Sequence, residues 1–208
     1  MGFFGAWVLD ERKFFKTDEL ARLRRSVRGR VEHAGFRRRL PWVEWFLVEL
    51  AFDTGLRVFE MAALNCSDLV LNVSRPGVFV RRGKCGKPRF VRIRQSFAKA
   101  CEDFLNWKQA IGELVDDEAP LFLSSVSGGH MTVRALQKMF TRCCRRVGIT
   151  EHSVHHARHT YCSHLYKSSK HNLRMVQRQA GHSSIRTTEV YAHVFDQDLD
   201  RAVEKLYG

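Results

Sequence analysis

A mainly helical domain carrying one small antiparallel three-stranded sheet, an α+β class, is the fold this sequence predicts. Two observations predict it. Most of the chain repeats its apolar residues at helical spacing, in long runs closed by Gly or a polar break. From Ser67 to Arg94 that period gives way to short apolar runs bounded by turns. At 208 residues the chain is one or at most two domains, long enough to bury a sizeable core. We divide it into a lead-in, residues 1–16, and one domain, residues 17–208.

Taken in order, the lead-in mixes Phe, Trp and charge without a period. Thr17-Asp18-Glu19 starts a helix with acids in its first turn. It runs to about Glu32, with Leu20, Leu23 and Val27 on one face and Arg22, Arg24, Arg25, Arg28 and Arg30 elsewhere. Gly35 ends it, and Arg37-Arg38-Arg39 form a linker. These arginines read equally well as phosphate contacts and as a solvated face. Pro41 opens a second helix, where its missing N–H costs nothing; the segment WVEWFLVELAF, apolar on nearly all sides, marks it as central and buried. Asp53-Thr54-Gly55 breaks it. Arg57 opens a third helix, with Phe59, Met61, Ala62 and Leu64 as its inner face.

Residues 68–71, 78–80 and 89–94 are the strands, and GKCGKP is the tip between the last two. That tip is not a nucleotide-binding loop, because Pro88 stands where Ser or Thr is needed. A helix from Ser96 to Ile111, an acidic loop from Glu113 to Glu118 and a Gly128-Gly129 turn follow. From Thr132 to Val147 an apolar stripe that includes Cys143 and Cys144 opposes Arg134, Lys138, Arg142, Arg145 and Arg146. The helix bearing His155 and Arg158 continues through Leu165. A polar loop, Lys167 to Asn172, and a short helix ending at Ala180-Gly181 lead to His182. A further helix carries Tyr191, and residues 198–206 make a last amphipathic turn or two.

The net charge of +13 favours a polyanionic partner, most often nucleic acid. The six Cys contain no CxxC pair, no run approaches the length that spans a bilayer, and FFGAWVL lacks the basic lead of a secretory signal. The expectation is a cytoplasmic, nucleoid-associated protein with reduced thiols and no membrane partner.

Chemistry concentrates between His155 and Tyr191. His155 and Arg158, three apart, share a helix face. Attack on a phosphodiester needs cationic donors for the non-bridging oxygens, and Arg suits because its fork pairs two oxygens at once. It also needs a base for the nucleophile and an acid for the leaving oxygen. Arg57 and Arg158 meet the first need, His182 is a further donor, and His155 is the proton acceptor. Arg57, beside a Gly at a helix start, suits an anion; pairing with Glu60 is the alternative for it. His155 and His159 also have the i, i+4 spacing of a zinc site, but His156 stands where the zinc hydrolases carry Glu. His159 reads better as a buried support.

The pattern HxxRH, then GHSS, then TTxxYxHV, with TGLRVFEMAAL upstream, resembles the tyrosine recombinases, the family of phage-type and Xer-type integrases. The resemblance covers roughly residues 17–195 and implies that family's catalytic-domain fold. It implies that Arg57, Lys84, His155, Arg158, His182 and Tyr191 are catalytic, with Lys84 as the acid and Lys87 as its supporting lysine, and Glu60 and His159 as supports. It implies a site-specific recombinase that breaks and rejoins DNA through a 3′-phosphotyrosyl link, with no metal, ATP or other cofactor. The implied partners are double-stranded DNA bearing specific recombination sites and a homo-tetramer on that DNA, from a chain that is a monomer or weak oligomer when unbound. Accessory DNA-bending proteins are a further implied partner, and residues 196–208 would dock on a neighbouring protomer. Family members generally add an N-terminal DNA-binding domain; the expectation is that these residues are the catalytic half alone, as in short recombinases of the family or in a fragment of a longer protein. A type IB topoisomerase shares the tyrosine chemistry, and a DNA-binding regulator descended from a recombinase is the non-catalytic alternative.

Overall fold

The computed structural model describes residues 13–81, 88–182, 184 and 188. Three helices come first: α1 (Thr17–Ala34), α2 (Arg39–Thr54) and α3 (Val58–Ala62). A tight turn at Cys66–Asp68 leads into β1 (Leu69–Val70), β2 (Gly77–Val80) and β3 (Arg89–Arg92). Then follow α4 (Gln95–Ala110), α5 (Val133–Arg146), α6 (Val154–Ser168) and α7 (Leu173–Ala180). The sheet is antiparallel in the order β1-β2-β3, with Leu69 opposite Val78 and Val78 opposite Val91. Mainly helical with one small antiparallel sheet, the fold is the predicted class.

The core is built around α2, against which α1, α4, α5 and α6 all pack. Phe46, Leu47, Val48, Leu50 and Ala51 are wholly enclosed, which is why this segment has no polar face. Each large apolar side chain so enclosed contributes about 1.5–3 kcal/mol. Phe46 stacks on Phe104 of α4 with ring centroids 4.0 Å apart. Phe15, assigned to the lead-in, is buried as well and donates its N–H to Thr160 Oγ1 at 2.9 Å, tying the start of the described chain to α6. The cysteines of α5 belong to this core, and burial pushes the Cys143 and Cys144 thiols up to about 12. No helix among the described residues is long and apolar enough to cross a membrane.

Several expectations need correcting. Arg24, Arg30 and Arg146 are not simply solvated. Arg30 and Arg146 grip the fully buried Glu44, Arg146 with both nitrogens at 3.1 and 2.9 Å. Arg24 and Arg94 share Asp53. A carboxylate inside a core must be matched by cations, and long arginine stems reach in from the surface to do it. Arg39 belongs to α2 rather than the linker, and pairs with Glu113 at the head of the acidic loop. The third strand stops at Arg92, and Arg94 flanks the start of α4 instead. α6 continues through Lys167 and Ser168, the first residues of the expected polar loop. Phe59 is 44% exposed rather than inward. α3 is one short turn whose rotation is set at its start, where Glu60 accepts from the Arg57 N–H at 2.8 Å. That rotation buries Glu60, Met61 and Ala62 and turns Phe59 out.

Candidate active site

The C-terminal end of α7 is where the catalytic candidates meet. A helix leaves its last carbonyls without partners and carries a partial negative charge there. Three successive carbonyls at this end accept from arginines of three different elements. Gln179 O accepts from Arg89 Nε of β3 at 3.4 Å. Ala180 O accepts from Arg158 Nη2 of α6 at 2.8 Å. Gly181 O accepts from Arg57 Nη1 and Nη2 at 3.3 and 3.4 Å. Helix-end carbonyls thus hold cations that would otherwise repel one another.

Two left-handed glycines make this approach possible. Gly55, φ +59°, ends α2 and offers its carbonyl to Arg158 Nη1 at 2.6 Å; a Cβ here would stand 2.2 Å from the Tyr161 ring. Gly181, φ +66°, ends α7, and a Cβ on it would meet Arg89 Nε at 2.6 Å. α7 itself is docked on the outer edge of β3. The Gln179 side chain accepts from Arg92 N at 3.1 Å and donates to Arg92 O at 3.0 Å, replacing a missing neighbour strand.

Arg158 is almost fully buried, at 3% exposure, and Arg57 lies partly exposed beside it. Both line a cleft of about 490 Å³ together with His155, Ser153, Gln137, Thr141 and the outward-turned Phe59. Burial, then the neighbouring Arg158 and Arg57, hold the His155 imidazole below its ordinary range. Near neutral pH it is therefore uncharged and able to accept a proton. Behind it stands His159, ring edge to face with His155 at 4.6 Å and pushed down to about 3 by burial and then by His155. Glu60 pairs with Arg57 at 3.3 Å, so the anion-holding and the Glu60-paired readings of this arginine are both present in one geometry.

His182 is buried, its Nδ1 2.9 Å from Thr188 Oγ1. A Thr188 hydroxyl donating to Nδ1 leaves the proton on Nε2, which makes a neutral His182 a hydrogen-bond donor. Burial and then Arg158 push this imidazole down to about 3, consistent with the neutral form. Among the described residues no group of three His, Cys, Asp or Glu is placed to hold a metal ion.

The structure therefore brings together Arg57, Glu60, His155, Arg158, His159 and His182. Lys84, Lys87 and Tyr191 lie outside the described residues, as does the segment 196–208 expected to dock on a neighbour. Sequence reasoning passed over Arg89, Gln179 and Thr188. Gln179 had one usable signal, its place in the last turn of a helix that leads to a candidate histidine.

The phage integrase family model matches residues 15–198. Tyrosine recombinase XerC of Thermodesulfovibrio yellowstonii is 33% identical over 162 residues, which is 76% of this chain and 51% of that protein. Tyrosine recombinase XerD of Rhizobium meliloti is 34% identical over 161 residues, 76% of this chain and 49% of that one. The chain spans about half the length of the curated relatives it matches. Among solved structures, the XerH site-specific recombinase bound to a palindromic difH substrate in a post-cleavage complex superposes with a TM-score of 0.73. It is 25% identical, covering 94% of this chain and 53% of that one. XerA recombinase superposes with a TM-score of 0.71 at 22% identity, over 99% of this chain and 66% of that one, a likeness of fold. With a helix end that gathers Arg57 and Arg158 beside two uncharged histidines, and a family match across most of its length, this chain belongs to the phage integrase family of tyrosine recombinases.

Proposed function

We propose that this chain is the catalytic part of a site-specific DNA recombinase. The observation that carries the reading is the convergence of Arg57 and Arg158 on one helix end, at the edge of a cleft that also holds His155. Two guanidiniums there can pair the non-bridging oxygens of one phosphodiester and stabilise the charge that builds on them. Tyr191 attacks phosphorus through its phenolic oxygen and loses its proton to neutral His155. The P–O bond to the 5′ side breaks, and that oxygen takes a proton from Lys84 and leaves as a 5′-hydroxyl. His182, donating through Nε2, adds a neutral hydrogen bond to the phosphate. The 3′-phosphotyrosyl link keeps the bond energy, so a 5′-hydroxyl of a partner duplex can reverse the step with no nucleotide consumed.

Glu60 and His159 support this set from behind, and Lys87 supports Lys84. Double-stranded DNA is the substrate, a charge of +13 suits it, and XerH is a relative solved on DNA. Exchange between two duplexes needs four such subunits, so we extend the proposal to a tetramer on DNA, with residues 196–208 docking between neighbours and DNA-bending proteins as accessories.

Covalent trapping tests the reading. Nicked duplexes tiled across the DNA flanking the gene are incubated with wild type and Tyr191→Phe, with a chelator present. An SDS-resistant protein–DNA band from wild type alone is the expected result. Equal DNA binding by both with no band from either would overturn the catalytic reading and favour a DNA-binding regulator.

A further inference from the structure

We propose that Arg89 is a positioning residue for DNA cleavage: it occupies the carboxylate of Glu60 and so keeps Arg57 turned towards the phosphate rather than into the protein. The proposal rests on the recombinase reading of the cleft. Its motive is a competition visible in the hydrogen bonds. The Glu60 side chain is fully buried and lies three residues from Arg57. A buried carboxylate with one cation beside it holds that cation tightly, because the carboxylate has no water to fall back on. Arg57 would then answer to Glu60 before it answered to a phosphodiester.

The geometry shows how this is avoided. Arg89 meets Glu60 with a two-pronged contact, Nη1 to Oε1 at 2.7 Å and Nη2 to Oε2 at 2.9 Å. The Arg57 guanidinium has only a longer contact of 3.3 Å to Oε1, while the Arg57 backbone N–H takes Oε2 at 2.8 Å. Burial alone would raise the Glu60 carboxyl, yet it lies below its ordinary range, and Arg89 lowers it more than Arg57 does. Arg89 therefore supplies most of the counter-charge, and Arg57 is the lightly held partner.

The same side chain fixes the other half of the arginine site. Its Nε reaches Gln179 O, and its guanidinium stem fills the space that a Gly181 side chain would need. The two carbonyls that follow Gln179 hold Arg158 and Arg57. Arg89 does not line the cleft that Arg57, His155 and Arg158 share, so it acts through these groups and not on the DNA itself.

The test compares wild type, Arg89→Ala, Arg89→Lys and the double variant Glu60→Gln/Arg89→Ala in single-turnover formation of the covalent adduct. Losing a charge-assisted pair of this kind slows Arg89→Ala by roughly 10- to 100-fold. Removing the unmatched carboxylate restores much of the rate in the double variant, and Arg89→Lys falls between. Melting curves run beside the assay; if Arg89→Ala is unfolded at the assay temperature, Arg89→Gln, which keeps the stem, replaces it throughout. A second readout needs no catalysis: inorganic phosphate is titrated while the Arg57 Nε–H resonance is followed by NMR. Phosphate affinity is expected to drop about tenfold on losing Arg89 and to recover in the double variant. Wild-type cleavage by Arg89→Ala, or a double variant no faster than the single one, would overturn the proposal. If wild type itself forms no adduct, the recombinase reading fails, and the phosphate titration alone decides the role of Arg89.

Discussion

His155 and Arg158 sit one helical turn apart, and their neighbours make them unlike. Arg158 is locked between Gly55 O and Ala180 O, so its fork is aimed before any substrate arrives. Preorganised donors of this kind need no rearrangement as charge develops. A lysine there would keep the charge and lose the aim, since an ammonium cannot span both carbonyls. His155 is tuned the opposite way: burial and the two arginines favour its neutral form. If His155 is the base proposed above, only its neutral ring accepts the tyrosine proton, and cleavage is expected to be lost as the pH falls through the depressed value, not through the ordinary one of 6.5. Single-turnover cleavage measured against pH, in the range where the protein stays folded, is expected to show its acid limb below 6.5. An acid limb at or above that value would remove His155 from the role of base.

Among the elements, α7 and the end of α2 do the positioning, and both depend on a glycine in the left-handed region. Gly55 is enclosed, and the ring its Cβ would strike is itself pinned, with the Tyr161 hydroxyl 3.2 Å from Gln179 Nε2. Gly55→Ala is therefore expected to lower stability by about 1–3 kcal/mol, read as a fall in the denaturation midpoint. Gly29, in the middle of α1 with nothing within 4 Å of its ideal Cβ, is the contrast. Gly29→Ala should raise stability by roughly 0.5–1 kcal/mol, because only backbone entropy changes there. If both substitutions moved the midpoint the same way, the close approach at Gly55 would not be what its glycine is for.

For the whole molecule the salient quantity is the number of imidazoles kept neutral. His155, His156, His159, His164 and His182 all lie below their ordinary range, chiefly through burial. For each, the unfolded chain binds a proton more readily than the folded one, so stability rises with pH until the ordinary value is passed. The stabilisation is complete above about 6.5 and is lost as the pH falls towards about 3, the value for His159 and His182. The melting temperature is expected to fall steadily over that window. A flat profile from pH 6.5 to 4 would mean that these histidines titrate normally in the folded protein.

The sequence by itself determined the order and type of the elements among the described residues and the spacing of the candidate site residues. Both are local: an apolar period sets each helix, and His155 and Arg158 share a face because they lie three residues apart. For Lys84, Lys87 and Tyr191 the sequence remains the basis, since they fall outside the described residues. Only the tertiary structure decided which charges are available. Arg30 and Arg146 look like solvent-facing cations in a helical pattern, yet both are bound to a carboxylate in the core. Phe59, expected inside, faces the cleft because a single short turn takes its rotation from its first residue rather than from a repeating stripe. The contacts that assemble the site join residues separated by 29, 103 and 124 positions. No periodicity carries that information, because such partners are chosen by how whole elements pack and by the cost of leaving a buried charge unmatched.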